Sequence, residues 1–413
     1  MADDYAQKFR TFLPKTLFSR LSDAEREALE TAALRYRFSF QEFKQIVEAA
    51  IDCEMWGETP VSTLLARDFP QKKAAFNAVR EYHASLRDGP VDYRSFAPDA
   101  YKAPKFSFVE KKDDALALGM CPVASPNTRC CNLMTLDAVE SCGFDCSYCS
   151  IQSFYNQDRI GFDVKLAEKL SRLELDPETV YHIGTGQSSD SLMWGNRGGV
   201  LDALFAFARS HPNVILEFKS KSDNIAYLLE HDVPRNILCT FSLNTPTIVE
   251  NEEHLTAPLH KRIAAARALA DKGVLVGFHF HPIVRYEGYL EEYGAVYAEL
   301  LRTFSPDEVA LVSLGTLTFI KPVIRQLRER NFKSKILQIP MTDANGKQSY
   351  PLETKREMFR HAYEAFAPWH GKVFFYLCME DHALWRDVFG YEYATNNHFE
   401  EAMLSSYMEK IRG

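Results

Sequence analysis

Three cysteines stand close together in the run Cys142-Gly-Phe-Asp-Cys146-Ser-Tyr-Cys149. Thiolates at this spacing, three residues and then two between them, can ligate three irons of a four-iron cluster from one short loop. The fourth iron then has no protein ligand and is open to a bound molecule, which is the condition a catalytic metal site requires. Gly143 suits a loop that curls round a bulky group. A zinc knot made by Cys146 and Cys149 with Cys130 or Cys131 is the competing reading, because CxxC pairs are common in zinc sites. Six of the nine cysteines fall within 121–149. In a reducing compartment such crowding speaks for metal binding or catalysis over disulfides.

Other residues carry weaker signals. His279 and His281, in Phe278-His-Phe-His-Pro282, are two apart on a predicted strand and so share a face. They suit acid–base work, substrate binding or a second metal; a structural pair is the plain alternative. Cys378 ends the last predicted strand, with Glu380 and His382 just beyond it, whereas Cys239 lies mid-strand and reads as core. Cys121, Cys130 and Cys131 read as packing ahead of a second metal site, because adjacent cysteines seldom both bind one small centre.

These residues need elements to position them. The chain has 413 residues and a net charge of −8, so any contact with phosphate must come from a local patch. Residues 1–90 read as a helical domain. Ser22-Asp-Ala-Glu25 resembles a capping box, and further helices are expected over 41–54 and 71–87. Residues 91–132 form an irregular connector rich in proline. From 133 to 380, short apolar strands alternate with amphipathic helices, which implies a parallel sheet with right-handed crossovers. Strands are expected at 133–139, 179–184, 214–219, 237–243, 274–281, 309–314, 335–339 and 373–378. Residues 381–413 read as a C-terminal helical extension. The fold class is therefore α/β, a full or partial barrel whose strand ends line the site. With no signal peptide and no apolar run long enough to cross a bilayer, the expected location is cytoplasmic, with no membrane partner.

Across 133–380 the chain resembles the radical S-adenosylmethionine (SAM) superfamily and, within it, spore photoproduct lyase. The cluster loop matches from Cys142 through Tyr148 and Cys149 to Gln152. Gln187-Ser-Ser-Asp190 falls where the family has Cys-Thr-Ser-Asp. Ser220-Lys221, Phe241-Ser-Leu-Asn244, the helix Lys261–Arg267 and Pro282-Ile-Val-Arg-Tyr-Glu-Gly288 match in order. The resemblance implies a partial (β/α)6-type TIM-like barrel and a 4Fe-4S cluster on Cys142, Cys146 and Cys149. It also implies SAM contacts at Tyr148, Ser189, Asp190, Lys221 and Ser242. The activity implied is reductive cleavage of SAM to a 5′-deoxyadenosyl radical that acts on a pyrimidine lesion in DNA, fed by a reducing partner such as flavodoxin or ferredoxin.

The sequence departs from that family at two positions. Gln187 replaces the cysteine that donates a hydrogen atom, and Ser150 replaces a second tyrosine. Cys378 is the candidate replacement donor. Arg285 and Tyr286 are candidate substrate contacts, and Lys219, Lys261, Arg262, Arg285, Lys333 and Lys335 are candidate phosphate contacts. Two other functions stay open: a radical SAM enzyme on a peptide, RNA or small metabolite, and a non-catalytic metal-binding protein.

Overall fold

The strands of the principal sheet differ in kind on their two faces. In the computed structural model, residues 2–98, 103–121, 127–150, 158–344 and 346–413 are described. Eight strands form this sheet: β1 Leu118–Met120, β2 Met134–Leu136, β3 Tyr181–Gly184, β4 Val214–Ser220, β5 Ile237–Ser242, β6 Val276–Ile283, β7 Val309–Thr316 and β8 Phe374–Leu377. They lie in sequential order from β8 to β1. Strands β2 to β8 are parallel, and β1 is antiparallel to β2. Parallel neighbours require crossovers. Helices Val200–Ser210, Leu259–Asp271, Tyr289–Thr303 and Leu352–Ala365 supply them. This is an open, partial barrel: the alternation of strands and helices left a full and a partial form open, and the resemblance implied the partial one.

The outward face packs on the helices. Phe218 of β4 stacks on Phe205 at 6.3 Å. Phe278 and Phe280 of β6 meet Phe304 and Tyr297 at 5.1 and 5.0 Å. Side chains alternate along a strand, so Glu217, Lys219, His279 and His281 face the hollow. The sheet curls enough that His182 of β3 and His279 of β6 both reach Glu217 of β4. The segment before β2 is tied to the segment after β8 by the Thr128↔Asp381 bridge and by His382 N–H donating to the Asn127 carbonyl. Helix Asn396–Arg412 covers part of the sheet. Its Tyr407 stands edge-on to His182 at 5.6 Å and to Phe374 at 5.9 Å.

The chain divides into two units that interleave in sequence. One comprises Met1–Tyr101, Arg285–Glu287 and Thr318–Tyr350; the other, which holds the sheet, comprises the remainder. In the first unit, helices Asp23–Tyr36, Phe40–Trp56 and Lys72–Asp88 bury a core that includes Phe9, Phe43 and Ile46. The capping box sits at Ser39 and Glu42. Ser22 caps Asp23–Tyr36 by accepting from Glu25 N–H, but its own N–H bonds Glu54. The strand expected at 335–339 does not form. Lys335 pairs with Glu58 at 2.6 Å, and the adjoining Ser334 N–H donates to the Met55 carbonyl, so packing against the N-terminal helices buries the apolar run without strand pairing. Residues 133–139 likewise give two short strands, Met134–Leu136 and Val139–Glu140. No helix among the described residues is long and apolar enough to cross a membrane.

Candidate functional site

The cysteine loop follows β2 and is anchored from several sides. Asp145–Cys146 pairs antiparallel with Glu253–His254, with Cys146 opposite Glu253. Ser147 donates both its N–H and its hydroxyl to the Glu252 carbonyl. Ser141 enters the loop at φ 69°, a conformation that costs a non-glycine residue energy. Its carbonyl accepts the Ser189 hydroxyl at 2.8 Å. Gly143 is needed for close approach rather than for a special φ. A Cβ there would lie 2.5 Å from Met193 Cε and 2.6 Å from Trp194 Cζ2. Trp194 is itself wedged between Phe106 and Phe108. Ile151 and Gln152 lie outside the described residues.

The three thiols lie in each other's fields. Burial pushes the Cys142 and Cys146 thiols up, and Asp190 adds to this at Cys142. Bound iron reverses that balance, because a coordinating thiol is deprotonated. Three soft sulfur donors on one loop have the chemistry of an iron–sulfur ligand set, although no three His, Cys, Asp or Glu side chains among the described residues are gathered closely enough to hold a metal ion as they stand. Cys130 and Cys131 do not join them. With Cys121 and Cys378 they line a separate small cavity of about 20 Å³, so the zinc-knot partners expected from the sequence stand elsewhere.

A buried ionic cluster backs the loop. Glu253 meets Arg262 at 2.6 Å and Lys221 at 3.9 Å, and it accepts the Tyr148 hydroxyl. Burial would raise the Glu253 carboxyl, but Arg262 and Lys221 hold it below the usual range. The Lys221 ammonium lies 5.7 Å from the centre of the Tyr148 ring. Arg262 also donates to the carbonyls of Ala257 and Ser242 at 2.7 and 2.8 Å. It is fully buried, which overturns its expected role as a phosphate contact. Lys335 is likewise buried and paired, and fails as a phosphate contact for the same reason.

Asp190 is a brace. One oxygen accepts from Leu192 N–H, Met193 N–H and the Ser220 hydroxyl, and the other from Lys221 N–H at 2.7 Å. The Ser242 hydroxyl, by contrast, makes no hydrogen bond among the described residues, although the residue is buried at the end of β5. The structure thus brings Cys142, Cys146, Cys149, Tyr148, Lys221, Ser189 and Asp190 into one neighbourhood, with Ser242 held to it through Arg262.

The hollow itself is polar. Glu217 accepts from Thr240 at 2.6 Å and bonds His182 at 2.8 Å and His279 at 2.7 Å. Burial, with Lys219 nearby, lowers the His279 pKa to about 4, and His281 falls well below its ordinary value for the same cause. Both rings are therefore neutral at pH 7. His281 bonds the Ser313 hydroxyl at 2.7 Å and lies 5.2 Å from His279, centre to centre. Cys378 follows β8, and Lys219 and Cys121 lie within its field. Glu380 is occupied by Lys355 and by Thr316.

Arg285 and Tyr286 belong to the other unit. Tyr286 is buried and meets Tyr93 edge-on at 5.7 Å. Its ring is core rather than an exposed stacking surface, which corrects the expectation of a substrate contact. Sequence reading missed Glu253, whose partners Tyr148 and Lys221 are distant in the chain, and Glu217. The alternation of Glu217 with Phe218 in β4 was the available signal for the latter.

The family model described as spore photoproduct lyase matches residues 136–350. The chain belongs to that family. It is 24% identical over 209 residues to spore photoproduct lyase of Clostridium acetobutylicum, a match covering 49% of this chain and 59% of that protein. It is 29% identical over 123 residues to the Bacillus subtilis enzyme, covering 29% and 36%. The matches thus span well under two thirds of these relatives. A solved spore photoproduct lyase complexed with dinucleoside spore photoproduct superposes with a TM-score of 0.57 at 19% identity, covering 66% of this chain and 82% of that one. A mutant with bound AdoMet and the same ligand gives 0.52 at 18%, with the same coverage. These structures share the fold of the family. The match covers the cluster loop, the Glu253–Arg262 pair and the hollow-facing Glu217, His279 and His281, and leaves residues 1–135 and 351–413, Cys378 among them, outside the family model.

Proposed function

We propose that the chain is a radical SAM enzyme that repairs a pyrimidine lesion in DNA. The observation that carries this reading is the enclosed three-thiol loop with Lys221 and Tyr148 at its back and the Ser242 hydroxyl at a neighbouring strand end. Cys142, Cys146 and Cys149 would hold a 4Fe-4S cluster there, which would supply the reducing electron for the cleavage of SAM. Membership of the family and the AdoMet and photoproduct bound in its solved members support the reading.

The residues of the chain do the positioning. Lys221 offers an ammonium to the methionyl carboxylate, in competition with Glu253. Ser242 offers a hydroxyl that has no other partner among the described residues. Asp190 fixes the backbone of Lys221 rather than the cofactor, and Ser189 fixes the loop. Cys378, at the end of β8, is the hydrogen-atom donor in this reading. A low-potential flavodoxin or ferredoxin supplies the electron. The charged hollow, with Glu217, Lys219 and two histidines, favours a second reading in which the same radical acts on a different substrate.

The test is anaerobic reconstitution with iron, sulfide, SAM and dithionite, followed by incubation with UV-irradiated DNA and mass spectrometry. Formation of 5′-deoxyadenosine with restored thymines is expected. 5′-Deoxyadenosine with unaltered DNA would reject the substrate, and a colourless protein with zinc would reject the chemistry.

A further inference from the structure

Among the described residues, the hollow of the sheet contains a cation, Lys219, that the cofactor site does not use. Glu217, Lys219 and Lys221 alternate along β4 and its end, while Phe218 between them packs outward on Phe205. The three charges have different fates. Glu217 is occupied by Thr240, His182 and His279. Lys221 has Glu253 at 3.9 Å. The Lys219 ammonium makes no hydrogen bond or ion pair among the described residues, although the side chain is partly buried. It is not sealed either, since it is absent from the buried unsatisfied atoms among those residues.

Among the described residues, the one anion that bears on Lys219 is Glu217, which makes no ion pair with it and is already bonded to Thr240, His182 and His279. The neighbours of Lys219 in the hollow are the thiols of Cys378 and Cys121, Glu217 and Lys221. His279 and His281 feel its charge and stand there as neutral rings. Burial lowers its pKa. A partly desolvated ammonium with no ion-pair contact among the described residues costs free energy. A ligand that brings a negative charge to this point recovers that cost and gains a charge-assisted hydrogen bond. Lys219 also lies one alternation deeper than Lys221 and beside Cys378, so it addresses the space where a substrate meets the donor thiol.

We propose that Lys219 is a specificity-determining anchor that holds the phosphodiester of a dinucleotide lesion inside the sheet's hollow, next to Cys378. This assignment rests on the pyrimidine-lesion reading. A phosphodiester is the one permanent anion that such a lesion carries between its two sugars, and an ammonium recognises it as a point charge with up to three donors.

The probes are spore photoproduct as the phosphodiester-linked dinucleotide and as the dinucleoside without phosphate, titrated against the reconstituted protein with SAM present. The wild-type protein is expected to bind the dinucleotide about tenfold more tightly, the size of one charge-assisted contact. Lys219→Met removes the preference and Lys219→Arg retains it, while SAM affinity, measured separately, changes less than twofold. A preference that survives Lys219→Met overturns the proposal. So does equal binding of the two probes by wild type, binding of neither, or an equal loss of SAM affinity in Lys219→Met, which would make Lys219 a cofactor contact. Failure of the underlying reading registers differently, as wild-type protein that forms no 5′-deoxyadenosine or that forms it and leaves UV-irradiated DNA unaltered.

Discussion

The Arg262 guanidinium lies 2.6 Å from the Glu253 carboxylate, and both side chains are almost wholly shut off from water. Glu253 in turn receives the Tyr148 hydroxyl and faces Lys221, and Arg262 donates to the Ser242 carbonyl. One ion pair therefore links the cluster loop, a strand-end lysine and a second strand end.

Removing one partner of such a pair leaves the other charge buried alone. Arg262→Leu is expected to destabilise the protein by about 3–5 kcal/mol, measured by anaerobic urea unfolding. The double variant Arg262→Leu/Glu253→Gln should recover part of that loss. A single-variant cost below about 1 kcal/mol, the scale of an exposed pair, would contradict the role given to this pair.

The packing at Gly143 makes the loop sensitive to one methyl group. Gly143→Ala must displace Met193 or Trp194, and overpacking of this kind costs about 1–3 kcal/mol. Iron bound per chain should fall below the wild-type value of about four, with unchanged far-ultraviolet circular dichroism. Cys146→Ala should lower the iron further. Full iron loading in Cys146→Ala would remove it from the ligand set.

The buried histidines predict a pH dependence. His279 has a folded pKa of about 4 against an ordinary 6.5, so the unfolded chain binds more protons between these values. Stability from this group is then complete above pH 6.5 and is lost as pH falls towards 4. Between pH 8 and pH 5 the loss from His279 alone is about 2 kcal/mol. Urea unfolding at the two pH values should show a fall at least this large, and a smaller fall in His279→Gln. An identical fall in the variant would show that the acid sensitivity arises elsewhere.

Cys378 can be tested by coupling. In Cys378→Ala the photoproduct repaired per 5′-deoxyadenosine released should drop by roughly an order of magnitude, because the product radical loses its hydrogen source. Single-turnover labelling offers a second reading, in which deuterium from solvent-exchanged thiols appears in the wild-type product and is absent from that of the variant. Unchanged coupling in the variant would exclude Cys378 as donor.

Sequence alone determined what is local. The spacing of Cys142, Cys146 and Cys149 follows from covalent chain length, so three thiols on one loop were legible before any fold was known. Period-two alternation determined that His279 and His281 share a face, and Phe278 and Phe280 packing outward agrees with it. The β/α alternation likewise announced the sheet. Tertiary structure decided the rest, because partner and burial depend on which strands become neighbours and how far the sheet curls. Tyr148 and Glu253 are 105 residues apart, and nothing in either segment marks the other. Arg262 and Lys335 read as surface cations until burial showed otherwise. Gly143 was legible as a loop glycine, but the reason for it, the Met193–Trp194 wall, exists only in three dimensions.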